Sequence, residues 1–97
     1  MDPERHGDTL TVRPRRDFNL MAVRHLKHHL GDATRVRIDL ARAQLVDTEA
    51  VMALFRLQKR GVDVRLLEPP PIFFELLKVL ELESAFDLER LVEREQP

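Results

Sequence analysis

The stretch best able to carry chemistry is Asp47-Thr48-Glu49, a hydroxyl set between two carboxylates. Ahead of it runs an alternating segment, Val36-Arg37-Ile38-Asp39-Leu40, with a short connector. Behind it Val51, Leu54, Phe55 and Gln58 recur at helical spacing. A period of two giving way to a period of 3.6 means a strand feeding a helix. At the changeover, the short oxygen-bearing side chain of Asp47 or Thr48 can accept from the helix's first free N–H groups, a contribution of about 1 kcal/mol. Glu49 suits the positive end of the helix, and Gly61, behind Lys59 and Arg60, fits its far end. The buried stripe is predicted as Val51, Leu54, Phe55 and Leu57. Met52 and Ala53 then project elsewhere, beside Thr48, Glu49 and Arg56. An apolar patch with a polar rim next to an exposed hydroxyl is a candidate partner surface. The alternative, that Met52 packs under a neighbouring loop, stays open.

Other reactive side chains do not assemble into a site. His25 and His29 are one helical turn apart, but His28 points away and no carboxylate or third ligand stands at a recognisable spacing, so no metal is expected. Gly7, Gly31 and Gly61 are isolated, which excludes a phosphate-cradling loop. Ser84 stands among Glu81, Glu83 and Asp87 but has no His near it in sequence to act as its base. Asp39 and Asp47 both fall near a strand's C-terminal end, where ligands often bind in β/α folds. No nucleophile, base and orienting group can be built from them. Neither an enzyme nor a cofactor is predicted.

Composition narrows the partner classes. The 97 residues are 43% hydrophobic and 34% charged, which predicts one folded domain. Net charge is −1, and there is no Trp or Tyr. The densest basic group, Arg13, Arg15, Arg16 and Arg24, therefore lacks stacking partners, and no nucleic-acid role is expected. The chain has no cysteine, hence no disulfide framework and no thiolate chemistry. MDPERHGD carries no apolar leader region, and no stretch approaches a membrane span, so a cytoplasmic location follows by elimination.

The elements that must position the triplet follow from the same pattern. Residues 1–8, polar and punctuated by Pro3 and Gly7, predict a loose lead-in, with the domain over 9–97. Thr9–Arg13 alternates as a strand that Pro14 ends. A helix from Phe18 or Asn19 to Leu30 has Asp17 or Asn19 as its cap, Ala22, Val23, Leu26 and Leu30 on one side, and Gly31 as its stop. Val36–Leu40 and Val62–Leu66 are strands flanking the helix over Thr48–Arg60. Pro71 suits a first helical position, opening a helix to about Leu82 with Phe73, Leu76, Leu77 and Leu80 inward and Phe74 off that stripe. Ser84-Ala85-Phe86 is a turn with one buried anchor. Asp87 opens a last short helix carrying Leu88, Leu91 and Val92, or else an edge strand follows. Every strand is apolar on one face only, so the helices cover one face. Crossover handedness then adds each strand on the same side. The fold class is α/β: a small right-handed β/α superhelical domain with a mixed or mainly parallel sheet.

Ile38-Asp39-Leu40, Val46-Asp47-Thr48 with its apolar helix, the segment LQKRGVDVRLLEPPP and the later LELESAF together resemble the STAS domain. That is the domain of anti-sigma factor antagonists and of the C-terminal regions of sulfate transporters. The resemblance covers roughly residues 35–88 well and the first strand and helix weakly. It implies a non-enzymatic protein-binding module. It also implies Thr48 as the residue a partner kinase phosphorylates, with an anti-sigma factor or switch-type Ser/Thr kinase as partner; the helical geometry above adds Asp47, Glu49, Met52, Ala53 and Arg56 as the partner-binding residues around it. Where antagonists carry a second Ser or Thr and then Gly, this chain has Glu49 and Ala50. The extra N-terminal strand of the family falls on residues 1–8, whose composition predicts a lead-in instead. The short STAS subunit that docks on the ATPase of a lipid-handling ABC transporter shows the same Val-Asp-Thr, so that partner is the alternative. Homo-oligomerisation stays open.

Overall fold

The computed structural model describes residues 3–93; residues 1, 2 and 94–97 of the expected lead-in and domain lie outside the described residues. Four strands share a parallel sheet core: β2 (Thr9–Val12), β4 (Arg35–Asp39), β6 (Asp63–Leu67) and β7 (Val92–Glu93). A first strand, β1 (Glu4–His6), adds antiparallel to β2, giving the order β1-β2-β4-β6-β7. Each parallel strand thus joins beside the one before it, as one-sided helix packing requires. The helices are α1 (Leu20–Leu30), α2 (Thr48–Lys59), α3 (Pro71–Val79) and α4 (Leu88–Leu91).

The segment expected as a loose lead-in therefore holds a strand. Glu4, Arg5 and His6 are all exposed, so the strand has no apolar alternation to betray it. Gly7, at φ 59°, lets the chain reverse into β2. Arg5 fastens the hairpin: its Nε donates to the Gly7 carbonyl at 2.7 Å and its Nη2 to Asp32 at 2.6 Å.

The connector before α2 also holds a strand. β5 (Ala43–Val46) pairs in parallel with β3 (Arg16–Phe18) in a separate two-stranded ribbon. Neither strand alternates. β3 has only Phe18 buried, β5 exposes both Gln44 and Leu45, and the register shifts at Arg16, whose φ is 67°. Each ribbon strand runs straight into a helix, β3 into α1 and β5 into α2.

The core lies between the helices and one sheet face. Leu10, Val12, Val36, Ile38, Val64 and Leu66 meet Val23, Leu26, Val51, Leu54 and Leu57, all buried. Phe18, Phe73 and Phe86 fill its ends. Phe55, expected inside, is half-buried; it packs edge-on to Phe86 at 5.7 Å with the Lys59 ammonium 5.4 Å from its ring centre. Gly61, at φ 95°, closes α2: its N–H donates to the Gln58 carbonyl and that of Val62 to the Leu57 carbonyl. Helix α3 ends earlier than Leu82, because the Leu82 N–H folds back to the Leu77 carbonyl at 2.9 Å around Glu81, which takes φ 56°. After Asp87 both readings hold in succession, α4 and then the edge strand β7.

The opposite sheet face is a charge ladder. Register sets Arg35 across from Asp63 and Arg37 across from Arg65. Arg35 donates to Asp63 at 3.0 Å, Arg65 to Asp63 at 2.9 Å, and Arg37 to Glu93 at 2.8 Å. The Arg65 hydrogen bond, with Arg35 assisting, holds the Asp63 carboxyl below its ordinary 3.8, and the same bond raises Arg65. A depressed folded-state value means stabilisation that is complete above the unfolded-state value and is lost as pH falls through the folded one. Denaturant titrations should show stability declining below about pH 4, and Asp63→Asn should flatten that decline. Leu54→Ala, deep in the core, should cost about 2–5 kcal/mol in the same measurement.

Candidate functional site

The ribbon of β3 and β5 places two helix starts together. Phe18 faces Val46 in register, and the Asp47 N–H donates to the Phe18 carbonyl at 3.2 Å. The next residues are the two caps: the Asn19 side chain accepts from the Ala22 N–H at 3.0 Å, and Asp47 Oδ1 accepts from the Ala50 N–H at 2.8 Å. Among the two candidates for each helix, Asn19 and Asp47 do the capping. Thr48 is the first residue of α2 itself and stands in the same place there as Leu20 does in α1.

Freed from capping, Thr48 is exposed, with Asp47 and Glu49 exposed on either side. Thr48, Glu49, Met52 and Arg56 line a depression of about 310 Å³ together with Leu20 and Leu80. Met52 is half-buried and Arg56 exposed. Leu20 and Leu80 were not identifiable as site residues in the sequence. One opens α1 and the other closes α3, and only the ribbon and the helix packing bring them to the start of α2. The parallel between Asn19-Leu20 and Asp47-Thr48 was the signal available. Asp47 itself is committed to the cap.

Ala53 corrects the expected patch. It is 7% exposed, because α1 packs along that side of α2 and takes up the face on which Ala53 lies. It forms the floor of a second hollow between the two helices, not part of an outward surface.

The remaining reactive groups are dispersed. The rings of His25 and His29, both exposed, lie with centres 4.9 Å apart and tilted by 57°, and no cluster of three potential metal ligands occurs among the described residues. Asp39 accepts from the Ala41 N–H at 3.0 Å and lies 3.9 Å from Arg13, whereas Asp47 accepts from the Ala50 N–H, so the two carboxylates have different partners. No helix among the described residues is long and apolar enough to cross a membrane.

A β/α sheet built strand by strand in one direction, an antiparallel N-terminal edge strand and paired helix starts define the STAS fold, and the chain has that fold. Particular solved structures share it. The anti-sigma factor antagonist SpoIIAA in its unphosphorylated form superposes with a TM-score of 0.65 at 16% identity, over 98% of this chain and 88% of that one. The phosphorylated form of SpoIIAA, a Bacillus cell fate determinant, gives 0.64 at 13% identity over 98% and 90%. A sulfate transporter family protein from Wolinella succinogenes gives 0.67 at 18% identity over 90% and 78%. No protein-family model matches the chain. No curated protein matches it either.

The division of labour at the start of α2 has a measurable consequence. Asp47→Ala should lower unfolding free energy by about 1 kcal/mol, whereas Thr48→Ala should change it by less than about 0.5 kcal/mol. Paired urea titrations read both, and equal losses would mean that the hydroxyl also caps.

Proposed function

We propose that this protein is a non-enzymatic binding module of the anti-sigma factor antagonist kind, switched by phosphorylation of Thr48. The observation that carries the reading is an exposed hydroxyl at the first position of α2, released from capping by Asp47 and bordering the Leu20–Met52–Leu80 depression. An anti-sigma factor or a switch-type Ser/Thr kinase is the partner, which places the protein in the cytoplasm. SpoIIAA, which shares the fold, is known in both phosphorylated and unphosphorylated forms.

The switch is electrostatic. Phosphate on Thr48 adds about −1.5 to −2 charges and three acceptor oxygens. The N–H groups and dipole at the start of α2 tolerate that charge, so the domain stays folded. With Asp47 and Glu49 alongside, the corner becomes strongly anionic. A partner that seats an apolar side chain in the depression is then met by a desolvation cost, and one that brings carboxylates is repelled. Phosphorylation acts by blocking contact.

A second reading uses the same face without phosphorylation, as a regulatory subunit docked on an ABC transporter ATPase. The likeness to a sulfate transporter family protein speaks for a transporter setting. The two separate cleanly. On the first, protein purified from its own cells carries phosphate on Thr48 by phosphopeptide mapping, and Thr48→Glu weakens the co-purifying partner by about tenfold or more while Thr48→Ala does not. On the second, an ATPase co-purifies equally with native, Thr48→Ala and Thr48→Glu protein. Phosphate confined to other hydroxyls, with binding indifferent to Thr48→Glu, removes the switch.

A further inference from the structure

The chain pairs its sheet-face arginines but leaves four cations between α1 and α2 without an acidic partner among the described residues. Arg5, Arg35, Arg37 and Arg65 each meet a carboxylate at 2.6–3.0 Å. Between α1 and α2 runs a groove of about 240 Å³ whose walls carry Arg24 and Lys27 from one helix and Arg56 and Arg60 from the other. All four are exposed, and none has a side-chain hydrogen bond or ion pair among the described residues. Their isolation is written into the helices. α1 contains no acid and α2 only Glu49, so no carboxylate stands three or four residues along the helix from any of the four. Arg56 and Arg60 are themselves four apart, a like-charge spacing that destabilises a helix. Lys27 in the last turn of α1, Arg56 in the last turn of α2 and Arg60 at its C-cap suit the negative ends of their helices, but none of the four pairs with a carboxylate among the described residues.

The groove is continuous with the depression beside Thr48, since Leu20 and Arg56 line both. Its floor of Val23, Ala53 and Leu57 is nearly closed, while the half-buried Leu20, Met52 and Leu80 offer apolar contact at one end. A partner that fits brings an apolar anchor for that end and negative charge for the walls. We propose that this surface docks an acidic, leucine-bearing amphipathic segment of a partner protein, its apolar side chain against Leu20, Met52 and Leu80 and its carboxylates between Arg24 and Lys27 on one side and Arg56 and Arg60 on the other. The proposal rests on reading the Thr48 corner as a partner surface and specifies the partner's chemistry. A bilayer, being flat, meets the cations but not the recessed apolar end. A nucleic acid finds no stacking aromatic on the walls. On the proposed reading of Thr48, an acidic occupant would be repelled by phosphate placed there.

The test uses the intact chain and a short fluorescein-labelled peptide with leucine and glutamate at helical spacing, followed by anisotropy. Binding is expected, weakening as salt rises. It should fall by about tenfold or more in Lys27→Glu with Arg60→Glu, and by less in Lys27→Gln with Arg60→Gln. Circular dichroism melts confirm that these exposed changes leave the fold intact. The proposal is overturned if the charge-reversed protein binds as the native one does, or if a leucine–lysine peptide binds equally. It is equally overturned if phosphatidylcholine vesicles containing phosphatidylglycerol, or a single-stranded oligonucleotide, are bound in preference. Salt-sensitive self-association through the same residues in sedimentation velocity assigns the groove to a second copy and also overturns it. Loss of the co-purifying partner by Thr48→Glu but not by Lys27→Glu with Arg60→Glu leaves the Thr48 reading standing and removes the acidic segment alone.

Discussion

The pairing of two very short strands determines where everything else at the site falls. A hydrogen bond from the Asp47 N–H to the Phe18 carbonyl locks β5 beside β3 one residue before each helix begins. Both helices must then start at the same level, and their caps, Asn19 and Asp47, stand side by side. From that follow the meeting of Leu20 with Thr48 and the long α1–α2 seam. Had either strand been replaced by an irregular loop, the two helix ends would be free to slide, and the depression would not have defined walls. Phe18 and Val46, buried at the ribbon's end, make this register costly to shift.

A second constraint comes from the sheet's two unlike faces. Because apolar side chains alternate with charged ones, helices can gather on one face only, and strand order becomes sequential. The exposed face then needs its own device against edge-to-edge or face-to-face association. It uses paired charges: Arg35 and Arg65 share Asp63, Arg37 meets Glu93, and Arg13 lies near Glu4 and Asp39. Individually such partly exposed pairs contribute little. Together they give a near-neutral surface with no unsatisfied run of one sign, a poor template for another protein.

The legible and illegible parts of this fold divide along a physical line. α1, α2, α3, β4 and β6 each bury one periodic face, and β2 alternates in residue type although Thr11 is buried with Leu10 and Val12; these patterns located them to within a residue or two, apart from the early end of α3. β1, β3 and β5 bury too little to show a period; β1 is wholly exposed, and the ribbon carries a register shift at Arg16. Their existence depends on tertiary pairing that no local pattern encodes. The same holds at the site. Asp47, Thr48, Glu49, Met52 and Arg56 share one helix, so spacing alone could group them. Leu20 and Leu80 come from other helices, and Ala53 was misplaced outward because helical geometry does not say which side a neighbouring helix will occupy.

That Asp47 caps α2, leaving Thr48 one residue inside, separates stability from surface chemistry. At a capping position a hydroxyl must accept from a backbone N–H, and any group attached to it would take away that acceptor geometry. At the first helical position the hydroxyl holds no such duty, while the free N–H groups and the positive end of the dipole still lie within reach. Negative charge added there is compensated locally by the backbone, and the Asp47–Ala50 bond is untouched. Its uncompensated effect points outward, over the depression and along the row of cations that begins at Arg56. The fold can therefore remain constant while a negative charge at this position shifts the potential along one edge, so that stability and surface charge at the start of α2 are set by different residues.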